Sequence, residues 1–542
     1  MRFIDAPTTR TIKFPGWMLV VLFLVYALPG NIGHVPWRGD DVVHIGIATQ
    51  MLHDGDWLVP RIAGMPFLEW PPLAHWLGAS AGALLGWLLP LHDAIRLATV
   101  LALALTVWPL AATARRLFGE DAGNAAFLLS IGSLGLLIHA HEAQPQMFVL
   151  AALSCTLYGL SLMPQHPRRG SLIAGCALAA AFLSGGLAGV ALTLPLWLFL
   201  PLGCRQCREG FLPGAYVQAL VIAIALSAIW PILMAIYEPA QLAVWWRDEI
   251  NDVSPGLISL TRINDQLSLL TWFAWPLWPV ALWALWHRRS QLREYHYLML
   301  TVSLLISLWV VVATGPVRPA NALPLLAPLL VLAASELARL RRGAANAFDW
   351  FGVMTFCAVG VFLWVAWSAL HLGWPAPLGR NIMRLTPGFE PTWNWGLLGV
   401  AVALSAAWIV ALVRMPYFPL RGALHWALGI TLVWCLNGAL WFDWFDYDKN
   451  YRPIVQQVAQ RVRGEQCIAV DGFGDGQRAA FYYFGGMQVD DNPGADNRCK
   501  VLVTYAGGRN PLPEVGSAWQ RVWQFEKGRG RQAERFVLYR RG

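Results

Sequence analysis

Two adjacent carboxylates, Asp40 and Asp41, open the stretch "DDVVHIGIATQMLHDGDW" just after an apolar run. A carboxylate can take the proton of a hydroxyl, so acids at the edge of a greasy segment are candidates for general-base work. We take both as candidate catalytic residues. As plain structural residues, Asp40 would cap a helix over 41–53 and Asp41 would support its neighbour. His44, Arg61 and Glu69 follow in the same loop, where Glu69 could simply pair with Arg61. A second polar group, "HAHEAQPQ", carries His139, His141, Glu142 and Gln146. So many polar groups exceed what a short connection needs for solubility, although ordinary loop polarity would also account for them. Arg96, Arg247, Glu249 and Arg318 complete the substrate-binding set. Arg96 could instead pair with Asp93, and Arg318 could be an interfacial snorkelling residue.

A membrane must position these groups. The chain is 57% hydrophobic and 13% charged, with 30 Trp. Soluble domains run near a quarter charged. Apolar runs of spanning length recur from residue 14 to 442. The net charge of +8 is topological, because Arg collects in short loops: Arg115–Arg116, Arg168–Arg169, Arg205 with Arg208, Arg288 with Arg289 and Arg293, Arg339 with Arg341 and Arg342, and Arg414 with Arg421. No basic face suggests nucleic acid. The stretch 71–90 is apolar enough to cross, but crossing would invert every later Arg-rich loop, so it reads as an interfacial or re-entrant segment. About thirteen spans result. They lie near 14–33, 94–113, 121–139, 147–164, 171–185, 187–203, 212–237, 268–286, 294–313, 322–338, 349–372, 394–413 and 421–442. The N-terminus is then cytoplasmic. The loops 34–93, 139–146 and 238–267 and the tail all share the outer side.

The fold expected is therefore a membrane all-α bundle over 1–446, with interfacial helices in its first outer loop at 34–93, and a small outer α/β domain over 447–542. In the tail, "YRPIVQQVAQRVRGE" reads as an amphipathic helix. "QCIAVDG", "MQVDD", "CKVLVTYA", "WQRVWQFE" and "ERFVLYR" read as strands. "DGFGDGQ" lacks the spacing of a nucleotide-phosphate loop. Cys467 and Cys499, the two cysteines of this outer domain, are expected to form a disulfide. Cys204 and Cys207 have no second ligand pair for zinc, and Cys155, Cys176, Cys357 and Cys435 read as packing residues.

With that context, Asp40-Asp41, "MLHDGDWLVPRIAGMPFLEWPPLAHWL" at 51–77, "AIRLATVLALALT" at 94–106, "ARRLFG" at 114–119, "LPLLAPLLVL" at 323–332 and "FYYFGGMQV" at 481–489 resemble the C-type glycosyltransferases of the bacterial inner membrane. The similarity is to the aminoarabinose–lipid A transferases and their protein O-mannosyltransferase relatives. The resemblance implies an inverting transferase that passes a sugar from a polyprenyl-phosphate donor to lipid A, lipopolysaccharide or another envelope glycan at the periplasmic face. It implies Asp40 as the acceptor-activating base, Glu69 as an acid that in some relatives helps bind a divalent metal, and Arg318 for the donor phosphate.

The chain also departs from that pattern. Val43 and Trp70 stand where relatives carry Arg and Lys, Gly185 where a Lys is usual, Gln146 where an Asp ends the second loop, and Ile250 where a His is usual. Without that His a tightly held metal is disfavoured, and no cofactor is certain. Two alternatives follow: a non-catalytic homologue acting as a partner subunit, or a flippase of polyprenyl-linked sugar. A flippase should carry charges inside its spans, and these spans are nearly free of them.

Overall fold

The computed structural model describes residues 14–203, 213–253, 260–314, 317–465, 467–491, 499–528 and 533–541. Cys204, Arg205, Cys207 and Arg208 lie outside the described residues.

The chain opens with α1 (Gly16–Ala27), a short apolar helix. The segment that follows holds α2 (Asp40–Asp54), a two-stranded hairpin of β1 (Arg61–Ile62) and β2 (Met65–Pro66), and α3 (Leu73–Leu85). At thirteen residues α3 is about 20 Å long, too short to cross. Leu84, Trp87 and Leu88 at its end are exposed.

The bundle continues with α4 (Leu91–Phe118), α5 (Glu120–Ile131), the single turn α6 (Leu134–Leu137), α7 (Pro145–Leu162), α8 (Pro167–Gly203) and α9 (Pro213–Tyr237). Next come α10 (Pro239–Val253), α11 (Leu260–Phe273), α12 (Leu277–His287), α13 (Tyr295–Ala313), α14 (Leu326–Leu337) and α15 (Arg342–His371). The last are α16 (Ala376–Leu385), α17 (Trp395–Arg414) and α18 (Arg421–Lys449).

Among the described residues, nine helices are long and apolar enough to cross a membrane, or up to eleven with two bent pairs each counted as one span. The bent pairs are α5 with 134–141, at 55°, and α11 with α12, at 99°. Inside α8, Gly185 and Gly186 leave helical geometry. A Cβ at Gly189 would stand 2.1 Å from the Ala181 carbonyl. Residues eight apart in one helix are about 12 Å apart along its axis, so the chain doubles back here. Dividing α8 brings the number to as many as twelve; α1, at twelve residues, is shorter than a span, so the crossing expected at 14–33 is not among them. The chain is a multi-pass membrane protein.

After α18 come α19 (Arg452–Arg461), β3 (Ile468–Asp471), α20 (Asp475–Gly485), β4 (Val489–Asp490), β5 (Val501–Gly507), β6 (Trp519–Lys527) and β7 (Glu534–Arg541). The sheet order is β4-β3-β5-β7-β6. β3 runs parallel to β4 and β5, and β7 runs antiparallel to β5 and β6. Each expected strand is present, and Cys467 and Cys499 are joined as a disulfide. The helix α20 was not read from the sequence, and it does the docking. Gly46 on α2 and Ala479 on α20 approach so closely that a Cβ at Gly46 would lie 3.0 Å from that of Ala479. One apolar core contains Val42 and Ile45 of α2, Ile454 and Val455 of α19, Phe481 of α20 and Phe536 of β7.

Candidate functional site

Gly39, with φ +103, precedes α2, so Asp40 is the first helical residue and not its cap. No hydrogen bond or ion pair holds its side chain among the described residues. Asp40 lines a polar pocket with Gly39, Val43, His44, Phe67 and Glu69. Trp70, Gln146, Arg318, Asp475 and Gly476 close it. The last two open α20, and a Cβ at Gly476 would lie 3.7 Å from the Gly39 nitrogen. Two helix N-termini therefore meet at this pocket, each carrying roughly half a positive charge.

A second, largely apolar pocket shares four of these residues: Glu69, Trp70, Gln146 and Arg318. Val149, Leu192, Val310 and Val311 build its walls, with Glu249 and Asp252 at its polar end. Arg318 Nη1 lies 3.6 Å from Glu69 Oε1 at the junction. Burial raises the Glu69 carboxyl above the usual range, against the pull of Arg318, and nearby Asp40 and Asp475 add to the rise. Glu249 accepts a 2.8 Å bond from the Leu187 nitrogen at the α8 reversal. Its carboxyl, raised to about 7 by burial, braces the positive-φ Gly186.

Asp41 is placed differently from its neighbour, and the catalytic reading of it is corrected. It is fully buried and takes bonds from Arg96 Nε (3.0 Å), Arg96 Nη2 (2.8 Å), the Trp37 nitrogen (3.0 Å) and the Ala143 nitrogen (2.9 Å). Burial alone would raise its pKa, but the Arg96 guanidinium brings it down to about 2. Arg96 is spent on Asp41, Asp93 and the His34 carbonyl, so it has no donors left for substrate.

The second polar group is also largely tied up. His139 bonds Gln144, and Gln144 bonds Glu142. His141 sits between the Tyr26 and Leu137 carbonyls and stacks on Trp434. Of that group only Gln146 reaches the pockets. It is buried, and its Oε1 has no partner. Arg61 pairs with Asp56 and Glu238 and not with Glu69. Arg247 is exposed on α10, away from both pockets. Among the described residues the one tight trio of metal-ligand types is Cys467, Asp490 and Cys499, whose cysteines are disulfide-bonded. Glu69 faces the Arg318 guanidinium at the junction of the two pockets.

The comparisons agree with this architecture. A family model described as dolichyl-phosphate-mannose-protein mannosyltransferase matches residues 69–234. The undecaprenyl phosphate-alpha-4-amino-4-deoxy-L-arabinose arabinosyl transferase of Pseudomonas aeruginosa (strain UCBPP-PA14) is 26% identical over 443 residues, 78% of this chain and 74% of that protein. The corresponding transferase 1 of Pseudomonas fluorescens (strain Pf0-1) is 27% identical over 262 residues, 46% of this chain but only 44% of that relative. The crystal structure of ArnT from Cupriavidus metallidurans bound to undecaprenyl phosphate superposes with a TM-score of 0.67 at 20% identity, covering 88% of this chain and 85% of that one. The chain has the fold of that ArnT structure and is similar in sequence to these arabinosyl transferases.

For an ArnT-like chain the departures are concentrated in one place. Val43, Trp70 and Gln146 line the polar pocket and Gly185 lines its apolar neighbour, whereas Ile250 lines neither. Asp475 and Gly476 are the site residues that sequence reasoning missed. The motif "DGFGDGQ" was visible, but its relevance depends on α20 docking against α2, which no local pattern encodes.

Proposed function

We propose that this protein is an inverting glycosyltransferase that moves a sugar from a polyprenyl-phosphate donor to a hydroxyl of a lipid A, lipopolysaccharide or other envelope glycan acceptor. The observation that carries the proposal is the placement of Asp40, a carboxylate without a partner among the described residues, in the same pocket as Arg318. Asp40 takes the proton of the acceptor hydroxyl as its oxygen attacks the anomeric carbon. The bond from that carbon to the phosphate oxygen breaks on the opposite side, with inversion. Polyprenyl phosphate leaves carrying the negative charge, which Arg318 and the converging helix N-termini stabilise. The apolar pocket beyond Arg318 suits the first part of the lipid, and Glu69 orients Arg318 between the two pockets.

The membrane in this reading is a bacterial inner membrane. Arg115, Arg288, Arg339 and Arg421 gather at helix ends, with Glu120, Glu336 and Asp349 as ion-pair partners. Those ends would face the cytoplasm, leaving the pockets and the C-terminal domain in the periplasm. The non-catalytic alternative draws on the neutral replacements at Val43, Trp70, Gly185 and Gln146.

The test supplies purified protein in nanodiscs with a panel of undecaprenyl-phosphate sugars and lipopolysaccharide. Consumption of at least one donor, lost in Asp40→Asn, is expected. No donor consumed across the panel would favour the partner-subunit reading, and donor moved intact across a vesicle membrane would favour the flippase.

A further inference from the structure

The mechanism leaves a buried pair of imidazoles unused. His44 lies one helical turn after Asp40, on the same face of α2, and lines the polar pocket. Its Nδ1 stands 2.9 Å from Nε2 of His75 on α3. Both rings are buried. Burial holds the His44 imidazole down at about 4, although Asp40 and Asp41 oppose that shift, and it holds His75 well below the usual range. Both are neutral at pH 7, so one proton is shared across the contact.

The direction of that hydrogen bond follows from the far side of His75. Among the described residues His75 Nδ1 is buried with no partner. If His44 were the donor, His75 would carry its proton on Nδ1, as a buried N–H with no acceptor. Orphaned buried N–H groups are rarer than bare acceptors. His75 therefore carries its proton on Nε2 and donates it to His44 Nδ1. His44, which lines the pocket, is then protonated on Nε2, its remaining ring nitrogen.

We propose that His75 is a positioning residue that fixes His44 as a neutral N–H donor into the polar pocket, where it grips an acceptor oxygen beside the hydroxyl that Asp40 deprotonates. This rests on the transferase reading and deepens it. Positions four apart on a helix have Cβ atoms about 5–6 Å apart, a span that two neighbouring hydroxyls of a sugar ring can bridge. One hydroxyl donates to Asp40 and the other accepts from His44. The pocket's cation, Arg318, is assigned to the donor phosphate, so the neutral His44 N–H beside the Asp40 carboxylate is left for an uncharged, hydroxyl-bearing part of the acceptor.

The test has two arms. In the first, the full chain labelled with nitrogen-15 histidine is studied in nanodiscs at pH 7, with the His44 signals assigned by their loss in His44→Gln. The expected spectrum shows His44 protonated on Nε2 with an accepting Nδ1, and His75→Phe abolishes that preference. A proton on His44 Nδ1, or a pattern unchanged by His75→Phe, overturns the proposal. This arm needs no turnover, so it fails or stands separately from the transferase reading.

In the second arm, transfer is measured with an undecaprenyl-phosphate sugar and lipopolysaccharide. His44→Phe is expected to raise the acceptor KM about tenfold, the effect of one lost hydrogen bond, with the donor KM unchanged. His44→Gln, whose amide N–H falls near the Nε2 position, is expected to recover to within about threefold of wild type. An equal rise in the donor KM, or a Gln variant as poor as the Phe variant, contradicts the proposal. Absence of transfer by the wild type counts against the transferase reading and leaves the spectrum to judge His44.

Discussion

The two sides of the α2 N-terminus carry the same side chain to opposite ends. Asp41 turns into the protein, where four hydrogen bonds and a buried guanidinium saturate it. Asp40 turns into the pocket, where no partner among the described residues holds it. A saturated carboxylate can only hold structure, because every lone pair it would offer a substrate is already used. A carboxylate left without partners, beside a cation and two helix N-termini, is free to act on what enters. The contrast extends to the loops. The segment 139–144 bonds mostly to itself and its neighbours, whereas Glu69, Gln146 and Arg318 face space shared by two pockets.

The hardest way to break this comparison is to attack the saturated side. Arg96→Leu strands Asp41 as a buried unpaired charge and should cost about 3–5 kcal/mol, read as a lower midpoint of unfolding in detergent. An unchanged midpoint would show that the pair is not structural. The pH dependence follows from the same group. The Asp41 carboxyl is lowered from 3.8 to about 2, so its stabilisation is present above pH 3.8 and is lost as pH falls through about 2. Asp41→Asn should remove that acid-sensitive component.

A smaller effect is expected at the junction. Arg318→Ala should weaken binding of undecaprenyl phosphate by about 1.5–3 kcal/mol with the unfolding midpoint unchanged, since the Arg318–Glu69 pair is half-exposed and holds little. Unaltered affinity would move the phosphate elsewhere. The smallest effect concerns Glu249, raised from 4.5 to about 7. A buried acid with a raised pKa destabilises the folded state once it ionises, so its cost grows as pH rises from 4.5 to about 7. Glu249→Gln should therefore gain more thermal stability over wild type at pH 8 than at pH 5. Equal gains would mean the carboxyl is not titrating in this window.

The spans were legible because hydropathy and Arg placement are local properties of the chain. So were the tail strands. The α8 reversal was legible too, because Gly185-Gly186 interrupts an otherwise continuous apolar run. Consecutive helical residues point about 100° apart, so adjacency alone could not say which of Asp40 and Asp41 would face the pocket. The polarity of His139, His141 and Glu142 was visible, but their bonds to the Tyr26 and Leu137 carbonyls and to Gln144 were not. Asp475 enters the site only because the small residues Gly46 and Ala479 let α20 settle on α2. That contact joins distant parts of the chain, and no short motif announces it.

The most direct test of the central claim compares Asp40→Asn with wild type in the same nanodisc preparation, measuring sugar transfer from an undecaprenyl-phosphate donor and the unfolding midpoint together. Loss of a positioned general base should lower turnover about 10²–10⁴-fold, and because Asp40 has no partners the midpoint should not move. Normal turnover by Asp40→Asn, or a loss of activity that tracks a loss of folding, would contradict the division of labour between Asp40 and Asp41.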